Sequence, residues 1–233
     1  MSTGNGCDKD ESPVVYTDTE SLGLEATLHD VFEIGMNKVY PDGREEELLI
    51  WLPAELKNAQ PDALRINKFY ERQEDCYKKY GVKGDEGAWK IAKFSSGCVL
   101  AGCRIHFDED MIKAFMAKYG LKPAWEVYTT DVTVFAAGAL GLKGRFSAKR
   151  VAELLGVTMP SDEERHTAMG DAKLAKRIHQ AALRLTSSRR QQLCDRLLPI
   201  LREEFTSVAE PVLIEKALLW TQKLVPETAK ASA

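Results

Sequence analysis

A strand that carries two carboxylates toward its end constrains this chain more than any other stretch. Val14-Val15-Tyr16-Thr17-Asp18-Thr19 is β-branched and aromatic, the composition of a pleated, half-buried strand. Side chains alternate along a strand, so Asp18 and Glu20 share one face, with Tyr16 and Val14 behind them. Two carboxylates at that spacing on a core strand repel each other and lose hydration. A proton, a cation or an exposed strand end must compensate. Gly23 then supplies the turn that leads the chain away. An isolated D-x-E most often marks only a strand ending in a polar turn, so chemistry here requires that other carboxylates converge on it.

The 233 residues suffice for one generous domain, or one domain with a helical appendix. Hydrophobic residues at 44% and charged residues at 29% fit a globular domain and exclude a disordered chain. No apolar run approaches the roughly 20 residues that a membrane span requires. Residues 1–12 are polar and acidic, without the apolar centre of a signal peptide, and read as a flexible lead. Five cysteines (Cys7, Cys76, Cys98, Cys103, Cys194) are odd in number and lack C-x-x-C spacing. That favours reduced thiols and a cytoplasmic location over a disulfide framework or a zinc site. A net charge of −3 argues against a generic basic nucleic-acid binder, but leaves room for an acidic centre offset by local Lys and Arg.

The first half reads as a sheet. Val31–Tyr40 is a second strand, Pro41-Asp42-Gly43 a turn and Glu47–Leu52 a third strand, which together form an antiparallel meander. Pro53–Asp62 reads as a loop, a short helix follows around Glu71–Tyr80, and glycine-rich Gly81–Gly87 reads as a surface loop before a helix over Ala88–Phe94. The pattern then alternates. Cys98–Gly102 is a short apolar strand, Asp108–Tyr119 a helix, Val127–Val132 a strand and Thr133–Leu140 a helix. Ser147 reads as the N-cap of a helix that Gly156 ends. A hairpin meander followed by strand–helix–strand–helix predicts an α/β fold, a mixed sheet flanked by helices.

Two further acids sit where acids need a reason. Asp108 heads an apolar stripe with Ile112, Phe115 and Tyr119, where the commoner role for Asp is an N-cap. Asp171 lies at helical spacing among Ala168, Ala175, Ile178 and Ala182 on a helix read as running to Leu185. An Asp on such a stripe is not a solvated-face residue. A lone buried Asp is usually satisfied by a hydrogen bond. Four carboxylates aimed at one locus, with His166 close to the last, are most simply explained by divalent metals with oxygen ligands.

At these residues the chain resembles a known family. Asp18-Thr19-Glu20-Ser21-Leu22-Gly23-Leu24 resembles the D-x-E-T-x-G first motif of the DEDDh (DnaQ-like) 3′–5′ exonucleases, the family of the epsilon proofreading subunit of bacterial DNA polymerase III. Ala101 to Asp108 resembles their second motif, and His166-Thr167-Ala168-Met169-Gly170-Asp171-Ala172 their third. The resemblance covers about residues 13–185 on domain-size grounds. It implies a ribonuclease H-like fold for that exonuclease domain, and the sequence beyond it reads as a C-terminal helical extension over 186–225 and a disordered tail over 226–233. It also implies two divalent metal ions, Mg²⁺ or Mn²⁺, held by Asp18, Glu20, Asp108 and Asp171. His166, on a mobile approach over Ser161–Arg165, would then be the general base, a task suited to a side chain that ordinarily titrates near pH 6.5. Substrate contacts are implied for Thr19, Ser21, Leu22, Ile66, Asn67, Arg104 and Phe107, with Pro61–Asn67 where relatives hold the 3′-terminal nucleotide. Asp131 matches a further family acid and reads as structural. The family's usual His-Asn pair before Asp108 is Cys103-Arg104 here.

The activity implied is 3′–5′ hydrolysis of single-stranded DNA in proofreading or repair, with a DNA polymerase as a possible partner and no membrane involved. Two alternatives stand beside it: an RNA 3′-end exonuclease with the same metal chemistry, and a non-catalytic module that binds nucleic acid or a polymerase. Lys143, Arg145, Lys149 and Arg150 suggest a phosphate track, although a charge run is usually a solvated face. The segment Ser187–Leu224 reads as two helices split near Val208–Pro211, with Leu193, Leu197, Leu198, Leu201 and Phe205 as the apolar side of the first.

Overall fold

Strands β1 (Val14–Ser21), β2 (Val31–Val39), β3 (Glu45–Trp51), β4 (Val99–Gly102) and β5 (Thr130–Asp131) form one sheet, ordered β3-β2-β1-β4-β5. It belongs to a computed structural model that describes residues 12–144, 146–204 and Val212. The lead before Ser12, Arg145, the extension from Phe205 onward other than Val212, and the 226–233 tail therefore lie outside the described residues. The meander β1–β2–β3 pairs antiparallel, while β4 joins β1 and β5 joins β4 in parallel. This is the mixed sheet expected from the order of elements, with β1 at its centre.

Helices cover both faces because the strands alternate. Val15 and Leu100 point one way and pack with Ile34, Ile105, Ile112 and Met116 beneath α3 (Gly84–Ser95) and α4 (Ile105–Ala117). Tyr16 and Ala101 point the other way, onto α5 (Val132–Leu140), α6 (Ala148–Leu155) and α7 (Ala168–Glu204). Each Ile or Leu enclosed in this way stabilises by about 1.5–3 kcal/mol. A third cluster, Leu22, Phe32, Trp51 and Phe69, closes one end of the sheet under α2 (Phe69–Tyr80). Among the described residues no helix is long and apolar enough to cross a membrane.

Several local expectations give way to packing. Residues 53–62 carry a 3₁₀ turn at Leu56–Asn58, and Pro61 opens α1 (Pro61–Ile66), Pro being well placed in a first helical turn. Helix α3 begins at Gly84, inside the stretch read as a surface loop. Gly84 is buried against the Tyr119 ring, where a Cβ would overlap the phenol, so this glycine serves close packing and not a turn. The expected strand over Val127–Val132 shrinks to Thr130–Asp131, since Val127 and Tyr128 are 90% and 86% exposed and have no sheet neighbour. Propensity without a partner strand leaves backbone groups to water. Ser147 and Gly156 cap α6 as expected. Helix α7 runs through residues 185–187 without a break.

One glycine sets how closely α7 approaches the sheet. Gly35 on β2 lies directly across the ladder from Asp18, and a Cβ there would collide with the backbone of Ala168 and Met169. The first turn of α7 therefore rests on the strand at backbone distance. Gly35→Ala is expected to cost about 1–3 kcal/mol by overpacking, read as a lowered urea midpoint. An unchanged midpoint would show that this close approach is not made.

Candidate metal centre

The alternation of β1 turns Asp18 and Glu20 toward α7, and the approach at Gly35 brings Asp171, in the first turns of α7, down to them. One carboxylate oxygen from each of Asp18, Glu20 and Asp171 lies within 4.8 Å of the other two. Asp108 joins from the opposite layer. Its Oδ1 accepts the Thr19 N–H at 2.8 Å and the Thr19 hydroxyl at 2.7 Å, and the residue is 2% exposed. The expected N-cap role is not the one it plays. Helix α4 starts one turn earlier, at Ile105, behind Arg104 in the left-handed region (φ 63°), and Asp108 holds the strand between the two acids of β1.

All four acids are raised above their ordinary values. For Asp18 the largest cause is burial, followed by the charges of Asp108, Glu20 and Asp171. Burial also dominates at Glu20, with Glu33 and Asp171 adding to it and Arg72 opposing it. Asp108 is raised by burial to about 7 even though its bonds from Thr19 favour the charged form. At Asp171 burial outweighs the nearby His166, whose charge and backbone N–H both lower the value. The protein alone thus leaves this locus with negative charge it does not balance. An all-oxygen carboxylate set with surplus charge suits a hard divalent cation such as Mg²⁺ or Mn²⁺. Cys103, which lines the same cleft, is held as a thiol by burial, which pushes it up to about 11.

His166 stands at the mouth of the site, exposed and in the left-handed region at φ 57°. It shares a cleft of about 950 Å³ with Asp171, Arg104 and Lys149. Its approach is a hydrogen-bonded turn: Ser161 N–H donates to Glu164 Oε2 at 3.2 Å, and Glu164 N–H returns to Ser161 Oγ at 3.3 Å. Thr167 then caps α7, its Oγ1 accepting the Gly170 N–H at 3.1 Å.

The other expected site residues are distributed around this core. Thr19 is buried and engaged with Asp108. Ser21 and Leu22 turn inward, the Ser21 hydroxyl donating to the Gly23 carbonyl at 2.7 Å and Leu22 packing among the aromatics at 1% exposure. Asn67 is buried and donates through Nδ2 to the Ser21 carbonyl at 3.2 Å, while neighbouring Ile66 is exposed. Phe107 is half-buried and Arg104 exposed. Of the suggested phosphate track, Lys149 lines the cleft and Arg150 reaches Glu153 at 3.4 Å. Asp131 is structural in the way expected, capping α5 by accepting the Thr133 and Val134 N–H groups at 2.9 and 3.1 Å.

One pair was not anticipated. Glu33 on β2 is 1% exposed and accepts hydrogen bonds from Arg72 Nη2 on both carboxylate oxygens, at 2.7 Å each. Burial raises Glu33 and Arg72 pulls it back down. A charged residue between Phe32 and Ile34 on a strand enclosed on both faces was the available signal, since such a charge needs a partner.

No protein-family model matches the sequence, and no curated protein matches it. Solved structures do. Exonuclease I of E. coli in complex with a dT13 oligonucleotide superposes with a TM-score of 0.61 at 18% identity, covering 82% of this chain and 44% of that one. A product-bound exonuclease I gives 0.60 at 19% identity, over 82% and 46%. A third exonuclease I structure gives 0.58 at 16%, over 88% and 43%. The chain thus spans under half the length of these structures. The likeness shows the fold, a mixed sheet flanked by helices of the ribonuclease H-like type.

Proposed function

We propose that this protein is a divalent-metal-dependent 3′–5′ exonuclease that hydrolyses single-stranded DNA from its 3′ end and releases nucleoside 5′-monophosphates, with proofreading or repair as its setting. The observation that carries this reading is the convergence of Asp18, Glu20 and Asp171 within 4.8 Å, with Asp108 locked beside them through Thr19. A module that only binds nucleic acid has no need of four raised carboxylates at one point. Bound divalent cations would supply Lewis acidity toward the attacking water and toward the phosphate oxygens. The four acids would hold them. His166, at the open mouth beside Asp171, would take the water's proton on its imidazole. Arg104 and Lys149, lining the same cleft, would face the phosphates of the approaching strand. The fold shared with exonuclease I, which is solved with a dT13 oligonucleotide, favours single-stranded DNA over RNA.

The test is digestion of 5′-labelled single-stranded DNA and RNA in parallel, with Mg²⁺ or Mn²⁺. The DNA is expected to shorten in single-nucleotide steps, and a closed single-stranded circle is expected to survive. Cutting of the circle would replace an exonuclease by an endonuclease of the same fold, and faster loss of RNA would change the substrate.

A further inference from the structure

The Arg72–Glu33 pair reaches further than charge neutralisation. Glu33 lies directly across the β1–β2 ladder from Glu20, so its bidentate hold on Nη2 anchors the guanidinium beside the acidic centre. The other terminal nitrogen, Nη1, donates to two backbone carbonyls, those of His166 at 3.1 Å and Asn67 at 3.2 Å. Four residues earlier in the chain, Lys68 sends its Nζ to the Asp162 carbonyl at 3.2 Å. Two cations at the start of α2 therefore grip the 162–166 segment at both ends, through its main chain.

His166 needs such a grip. Its φ of 57° lies in the left-handed region that L-residues disfavour, so contacts from its surroundings are needed to hold it. Its N–H faces the Asp171 carboxylate and its carbonyl faces Arg72, which fixes the peptide on either side of the imidazole. Asn67 depends less on Arg72. Its N–H also donates to the Ala63 carbonyl at 3.0 Å and its side chain to the Ser21 carbonyl at 3.2 Å. Of the two carbonyls, that of His166 therefore depends more on the guanidinium. Lysine does not replace it, being a single point charge without the fork that serves Glu33 and a carbonyl together.

We infer that Arg72 is a positioning residue for the reaction: anchored on buried Glu33, it holds the His166 main chain so that the imidazole faces the acidic centre. The inference rests on the proposed role of His166 as base.

The test compares the full-length parent, Arg72→Lys, Arg72→Met and the double variant Glu33→Gln/Arg72→Met. Turnover of 5′-labelled oligonucleotide and the Mn²⁺-induced rise in Tm are measured for each, with hydrogen–deuterium exchange over residues 161–168. Arg72→Lys is expected to lower kcat by about a hundredfold, the cost of a reacting group misplaced by about 1 Å. KM and the Mn²⁺ response should stay as in the parent, and exchange should quicken over 161–168. The double variant removes both buried charges and should recover the stability lost in Arg72→Met, yet remain slow. Recovery of kcat in the double variant would reduce Arg72 to a counter-charge for Glu33 and overturn the inference. A collapse of the Mn²⁺ response in Arg72→Lys would do the same, by assigning Arg72 to the metal centre. If the parent itself degrades no nucleic acid, the proposed function fails on its own. Exchange over 161–168 then decides the clasp, and protection unchanged in Arg72→Lys overturns it.

Discussion

His166→Asn is expected to cut turnover by about 10²–10⁴-fold, the usual worth of a positioned general base, while the protein keeps its stabilisation by Mn²⁺. Asp171→Asn is expected to lose both. Asparagine is the replacement of choice at position 166 because it tolerates the left-handed backbone (φ 57°) better than alanine. At position 171 it can still accept the His166 N–H while removing the charge that the acidic centre shares. The physical distinction is one of location. Asp171 contributes an oxygen to the cluster within 4.8 Å, whereas His166 stands at the mouth beside Asp171, outside that cluster. Turnover on 5′-labelled DNA and calorimetric Mn²⁺ titration decide the matter. If His166→Asn weakens Mn²⁺ binding as much as Asp171→Asn, the histidine is a ligand and the proton-transfer role is wrong.

In EDTA, the protein is expected to lose stability as pH rises through neutrality, the reverse of a surface stabilised by ordinary ion pairs. Asp18, Glu20, Asp108 and Asp171 all titrate above their unfolded values near 4, Asp108 at about 7. A group raised on folding binds more protons when folded. Its contribution is complete below the unfolded pKa and is lost as pH climbs through the folded one. The four acids therefore weaken the metal-free fold progressively as pH rises above their unfolded values near 4, Asp108 doing so up to about 7. A divalent cation supplies the missing charge where protons leave, so the Tm gain from Mg²⁺ or Mn²⁺ should grow from pH 5.5 to 8.5. His179 works in the other direction. Burial lowers it, so it withdraws stability as pH falls below about 6.5. Melts in EDTA and in Mn²⁺ across that range, with Asp18→Asn as control, provide the check. The variant should flatten the EDTA slope and lose most of the metal gain. Equal Tm values with and without metal at pH 8.5 would remove the case for a cation site.

Sequence by itself determined the strands of the meander, the strand–helix alternation after them, and the acids and histidine that would do the chemistry. These are local properties. The β-branched and aromatic run of β1 marks a strand, and an Asp at helical spacing among alanines is conspicuous whatever lies across from it. Ser147 could be read as a cap because a cap depends on the next three residues alone. The tertiary structure decided what depended on a partner distant in the chain. Gly84 opens a helix with the Tyr119 ring packed against it, and Val127 stays out of the sheet because no strand lies beside it. Asp108 holds Thr19 instead of its own helix end because β1 and α4 meet 89 residues apart in sequence. Arg72 finds Glu33 across 39 residues and the His166 carbonyl across 94, a meeting fixed by ladder register and by the packing of α7 on Gly35. Periodicity states which side of an element an acid occupies, and only packing of elements against one another states which carbonyl, cation or second acid it meets there.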